Sequence, residues 1–237
     1  MSGHSKWANT KRQKMANDKV KGNTFSKLSR LITLSVIEGA GIKEPENNVR
    51  LRLAMEKAHA ANMPKENINR AIERGAGPDR SLIREVIYEG FGPGGVALMI
   101  QSSSDNPNRT MSDIRIVMDK NQGKLASAGA VNYLFKKCAL LIVKKEEANE
   151  NQAFDIGEKL DAFDIDQDEG RFYIYFPYEN LGHIKDKLGE IHYESAEIDF
   201  KPQNFIELTD PKKLDQLETL ISNLEALDDV HKVFTNL

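Results

Sequence analysis

The sequence predicts an α+β protein: a basic N-terminal helical domain followed by two α+β domains of the ferredoxin-like, split βαβ kind, one inserted into the other. Three observations carry that expectation. Apolar residues recur at helical spacing in the N-terminal third, strand and helix patterns alternate afterwards, and two strand–helix–strand units follow each other in the second half. The expected domains are 1–80, then 81–134 together with 203–237, with 135–202 as the insert.

In chain order, Thr24 can cap a helix carrying Phe25, Leu28, Leu31, Ile32, Val36 and Ile37 on one face, ended by Gly39-Ala40-Gly41. Pro45 opens a second helix with Val49, Leu53, Met55 and Ala58, broken by Asn62-Met63-Pro64. Pro64 suits the first position of a third helix holding Ile68, Ala71 and Ile72, stopped by Gly75 and Gly77. Composition shifts near residue 81, and 83–88 and 96–102 read as strands joined by Gly90-Phe91-Gly92-Pro93-Gly94-Gly95. Asn106-Pro107 starts a helix with Met111, Ile114, Val117 and Met118 inward, ending near Gly123. Two similar units come next: strand 138–143, helix 147–162 and strand 163–167, then strand 171–176, helix 178–189 and strand 196–200. The tail reads as strand 204–208, a helix begun by Thr209-Asp210-Pro211, and strand 230–235. Neither the ββα of 83–121 nor this closing βαβ can bury its apolar face alone, so the two are expected to pair.

Composition bounds the function classes. The apolar share of 40% and charged share of 29% are ordinary for a soluble globular chain. A single cysteine, Cys138, excludes an internal disulfide framework and a multi-thiolate zinc site, and it opens an apolar run that fits a buried structural thiol. No stretch approaches a membrane span, and the N-terminus lacks a secretory h-region, so a cytoplasmic location and no membrane partner are expected.

The charge is distributed unevenly. The first thirty residues hold eight basic side chains (Lys6, Lys11, Arg12, Lys14, Lys19, Lys21, Lys27, Arg30) against Asp18 alone, a net +7, while the whole chain is −3. Trp7, the only tryptophan, lies inside this arm with His4 close by. Lysines supply phosphate contacts without sequence preference, and an indole gives a base a face to stack on. The competing reading is a solvated tail whose Trp7 docks on the body.

The words Gly3-His4-Ser5-Lys6-Trp7-Ala8-Asn9, Asn62-Met63-Pro64-Lys65-Glu66-Asn67-Ile68, Tyr88-Glu89-Gly90-Phe91-Gly92-Pro93-Gly94-Gly95-Val96 and Asn108-Arg109-Thr110 occur in order along nearly the whole chain. In these the sequence resembles the YebC/PmpR family, which includes mitochondrial translational activators of cytochrome oxidase. The resemblance implies a three-domain plan and a role in gene expression. It departs from the family pattern at Pro107, where relatives carry Arg, and through Lys124–Tyr133.

Other motifs carry less. Gly90-x-Gly92-x-x-Gly95 spells a dinucleotide fingerprint, but a strand rather than a helix follows, so tight-turn glycines are expected. Asp164, Asp166 and Asp168 alternate as in a calcium loop, yet Glu169 and Tyr175 occupy the positions that need Gly and Glu. The five histidines show no ligand spacing, and no nucleophile–base pairing is legible. No cofactor, metal, catalytic residue or small-molecule substrate is therefore expected. Arg109, near a helix N-terminus, reads either as a surface arginine or as a further phosphate contact.

The expected function is a non-enzymatic nucleic-acid-binding regulator of gene expression, in the first instance a DNA-binding transcriptional regulator. Two alternatives are a ribosome- or RNA-associated factor assisting elongation of particular messages, and a protein-interaction scaffold. The candidate nucleic-acid-binding residues are His4, Lys6, Trp7, Lys11, Arg12, Lys14, Lys19, Lys21, Lys27, Arg30 and Arg109. RNA or the ribosome gains weight because no helix-turn-helix is legible, the third helix being short and its approach occupied by Asn62-Met63-Pro64. The acidic remainder, −11 over residues 81–237, would face away from the polyanion.

Overall fold

The computed structural model describes residues 24–78, 83–189 and 191–237. Among the described residues three N-terminal helices precede two four-stranded sheets, an α+β architecture.

Helix α1 (Thr24–Glu38) buries Ile32, Leu34 and Val36. Helices α2 (Val49–Ala60) and α3 (Lys65–Ala76) complete a small core of Ile32, Val36, Leu51, Ala54, Ala58, Met63, Ile68 and Ala71. α2 begins at Val49, not at Pro45. The buried Asn48 caps it by accepting from Leu51 N at 3.1 Å, and its amide donates to Ser35 O and Ile42 O, so the N-cap outweighs the proline. α3 is likewise not stopped by Gly75, which lies buried within the helix. A Cβ there would come within 2.6 Å of Thr33 O and 2.7 Å of Val36 Cβ, so this glycine lets α3 approach α1.

Strands β1 (Arg84–Phe91) and β2 (Ala97–Ser104) form the expected hairpin. Gly94 and Gly95, with φ of 76° and 79°, make the turn, whereas Gly90 remains in β1. Helix α4 (Pro107–Lys120), capped by Asn106, buries Thr110, Ile114 and Met118. The short β3 (Lys124–Leu125) returns antiparallel to β1. Packing divides the chain into two compact units, and the sheet of this one is completed by a later strand.

The other unit, Lys136–Lys201, contains most of β4 (Phe135–Lys144), then α5 (Glu150–Lys159), β5 (Asp164–Gln167), β6 (Arg171–Phe176), a 3-10 segment Tyr178–His183 running into α6 (Ile184–Leu188), and β7 (Ser195–Pro202). The strand order β5-β6-β4-β7 is that of a split βαβ pair. α5 is shorter than the periodicity predicts. A capping box between Asn149 and Gln152 starts it, and Asp161 at φ 59° reverses the chain beyond it. Tyr178–Leu188 is not one α-helix, since Pro177 and Gly182 leave its first half in 3-10 form. Cys138 is fully buried and its thiol donates to Asp199 O at 3.6 Å.

Residues 204–208 form no strand. Their contacts are isolated, Ile206 N donating to Asn236 O at 2.9 Å, with no ladder along β8. Helix α7 (Pro211–Ala226), capped by Asp210, leads to β8 (Val230–Thr235), which pairs with β2 and gives the order β3-β1-β2-β8. All three ladders of this sheet are antiparallel.

Candidate nucleic-acid interface

His4, Lys6, Trp7, Lys11, Arg12, Lys14, Lys19 and Lys21 lie outside the described residues, whereas Lys27, Arg30 and Arg109 lie within them. The helical period places Lys27 and Arg30 on α1 one turn apart, both half-buried. Lys27 Nζ donates to Glu225 O. Burial draws its ammonium below the ordinary lysine range, against the opposing pull of Glu225 and Asp228.

Arg30 pairs with Asp229 and reaches Ser103 O at 3.3 Å. Arg109, held beside the α4 N-terminus where its N–H donates to Asn106 Oδ1, meets Asp105 at 2.8 Å and Asp229 at 3.2 Å. The fold thus brings Arg30 and Arg109 together on one carboxylate, 7% exposed, which also accepts the Thr110 hydroxyl. These residues line a cleft of about 490 Å³ with Asp105, Asp113 and Asp228. Much of the positive charge there is spent on internal carboxylates, and the Arg30–Asp229 pair ties α1 to the sheet-bearing body.

A second cleft, about 420 Å³, opens between α1 and α3. Arg70 and Arg74 line it, and neither is among the residues singled out from sequence. Their signal was the i, i+3, i+7 spacing of Asn67, Arg70 and Arg74, which sets three polar side chains on one stripe of α3. Because Gly75 lies within it, α3 is a full twelve-residue helix with an exposed polar face, which corrects the expectation of a short one.

The segment 126–134 is held by a residue that sequence patterning passed over. Glu89 is buried in β1, and its carboxylate accepts from Gly129 N (2.7 Å), Val131 N (2.6 Å) and Asn132 N (2.9 Å). Burial pushes its carboxyl up, but the three backbone donors prevail and hold it below the usual carboxylate range.

The acidic triplet of the insert is occupied within its own unit. Lys201 pairs with Asp164 and Asp166, while Asp168 accepts from Gly170 N and Arg171 N at 2.8 Å in the β5–β6 turn. Among the described residues there is no group of three or more His, Cys, Asp or Glu able to hold a metal ion, and no helix long and apolar enough to cross a membrane.

Comparison with known proteins matches two family models: the TACO1/YebC protein N-terminal domain over residues 5–78, and the TACO1/YebC second and third domain over 83–237. A protein of Brachyspira hyodysenteriae named "Probable transcriptional regulatory protein" is 44% identical, the match covering 100% of this chain and 96% of that protein. One of the same name from Caldanaerobacter subterraneus is 40% identical over 100% of this chain and 98% of its own. A crystal structure of a conserved hypothetical protein from Aquifex aeolicus superposes with a TM-score of 0.82 at 38% identity, covering 92% of this chain and 90% of that one. The fold is that of an α+β protein in which N-terminal helices are followed by two four-stranded antiparallel sheets. The chain belongs to the TACO1/YebC family.

Proposed function

We propose that this protein is a non-enzymatic regulator of gene expression that grips nucleic acid through its basic N-terminal arm, with transcription as the first process in view. The observation that carries this reading is the charge polarity: +7 over the first thirty residues against −10 over the rest. A polyanion is drawn to the first and repelled by the second. The names of the relatives, "Probable transcriptional regulatory protein", agree with it. The engagement of Lys27, Arg30 and Arg109 by internal partners shifts the weight of the grip onto His4, Lys6, Trp7, Lys11, Arg12, Lys14, Lys19 and Lys21.

A second reading, an RNA- or ribosome-associated factor, is favoured by Trp7, because base stacking on an indole needs an unpaired base. Gradient sedimentation of lysate with and without ribonuclease, followed by a DNA shift at physiological salt, separates the readings. A sequence-selective DNA shift supports the transcriptional reading, and ribonuclease-sensitive co-migration with ribosomes supports the second. Absence of both overturns nucleic-acid binding and leaves a scaffold.

A further inference from the structure

We infer that the cleft between α1 and α3 is a second phosphate-binding surface, in which Arg70 and Arg74 receive the phosphodiester backbone of the strand held by the arm. The inference rests on the nucleic-acid reading above and extends it from the arm onto the folded body.

Geometry and charge carry it. The cleft is lined by three guanidiniums, of Arg30, Arg70 and Arg74, against a single carboxylate, Asp228. Arg30 is committed to Asp229. Among the described residues Arg70 donates to the neutral side chain of Asn67, and neither Arg70 nor Arg74 has a carboxylate partner. The contrast with the neighbouring cleft is chemical: there Arg109 is held by Asp105 and Asp229, whereas here two exposed arginines one turn apart keep their charge for an incoming anion.

Ser26 and Ser29 on the α1 wall add hydroxyl donors to the same space. Phe25, 37% exposed, also lines it and directly follows Thr24, where the arm joins α1. The α1 wall of the cleft therefore begins one residue after Thr24, next in sequence to the basic arm. A guanidinium fork suits phosphate oxygens, and the shared chemistry admits duplex DNA or single-stranded RNA.

The test uses the full chain with Arg70→Ala and Arg74→Ala combined, titrated by fluorescence anisotropy against a labelled oligouridylate and a labelled DNA duplex over a range of salt. Removing two phosphate contacts should flatten the slope of log K against log salt by roughly 1.4 for the single strand and roughly 1.8 for the duplex, with about a tenfold or larger loss of affinity near physiological salt. Loss on one probe only identifies that nucleic acid as the occupant. Lys212→Ala with Lys213→Ala removes equal charge from the exposed start of α7 and should leave both slopes unchanged. Both arginines are exposed, and an unchanged melting temperature verifies the fold. If wild-type protein binds and the Arg70/Arg74 variant matches it in slope and affinity, the cleft is overturned while the arm stands. If the Lys212/Lys213 variant loses as much, the effect is net charge and the cleft is likewise overturned. If wild-type protein binds neither probe, the parent reading falls first.

Discussion

Glu89 sits in β1 with 6% of its surface exposed, both carboxylate oxygens taken by backbone N–H groups of the 129–132 segment. Removing the acceptor leaves three backbone donors without their carboxylate, of which the Val131 N–H is buried, so Glu89→Ala should cost roughly 2 kcal/mol in chemical denaturation. Its lowered native pKa sets the sign of the pH dependence. The contribution is fully present above the unfolded value of about 4.3 and is lost as pH falls through the lower native one. His231 works over a different window. Burial first, then the charges of Lys27, Arg30 and Lys57, bring its imidazole down to about 4, and its ring nitrogen lies 2.7 Å from Ser103 Oγ. The unfolded chain takes up that proton near pH 6.5 and the folded one only near 4, so acidification between the two destabilises the fold. Melting temperatures of His231→Gln should show a flatter decline across this interval than the wild type. A parallel decline would remove His231 as the cause.

Among the elements, the α1–α3 contact shows how one missing side chain decides a packing distance. Gly75 faces Thr33 O and Val36, and Thr33 Oγ1 donates to Ala71 O at 2.9 Å across the same contact. The obstacle to a Cβ is backbone, which cannot rotate away. Gly75→Ala should therefore destabilise the protein by about 1–3 kcal/mol despite the better helix propensity of alanine. Thermal unfolding measures this directly, and a gain in stability would show that α3 can shift outward at no cost. Asn48 joins α1 to α2, one side chain capping α2 while donating to the carbonyls of Ser35 and Ile42.

For the whole molecule the governing quantity is the separation of charge. Residues 1–80 carry 16 basic and 8 acidic side chains, and residues 81–237 carry 17 and 28. If the arm neutralises about five phosphates, log K for nucleic acid should fall with log salt at a slope of roughly −3.5 to −4.5. Lys11→Ala, Arg12→Ala and Lys14→Ala combined should reduce that slope by roughly 2 to 3, and an unaltered slope would clear these residues of the role. The internal partners of Lys27 and Arg30 place these two in the holding of α1 against the body, and Arg109 of α4 shares Asp229 with Arg30, so replacing any of the three mixes stability with binding. The arm variants avoid that confusion.

The α+β class, the β1–β2 hairpin and the split βαβ order were legible because periodicity, proline and glycine are local signals that persist in the fold. Gly94 and Gly95 turn the chain as their spelling implies, and Asp210-Pro211 starts α7 as a cap and first residue should. Helix ends were less legible: Asn48 displaced Pro45 as a start, and Gly75 proved to be a packing glycine rather than a stop, because each is settled by a neighbour from another helix. At 204–208 the outcome is likewise settled by tertiary contacts: beside the β8 edge Ile206 N donates to Asn236 O, and no ladder forms. At the candidate site, residue type and order alone supplied the cationic arm and the polarity of the chain. Which cations are already spent could be decided only by folding. Asp229 collects Arg30 and Arg109 from distant positions, Glu89 gathers three amides, and Arg70 and Arg74 emerge on an open stripe, because charge pairing depends on distances in space that no linear spacing encodes.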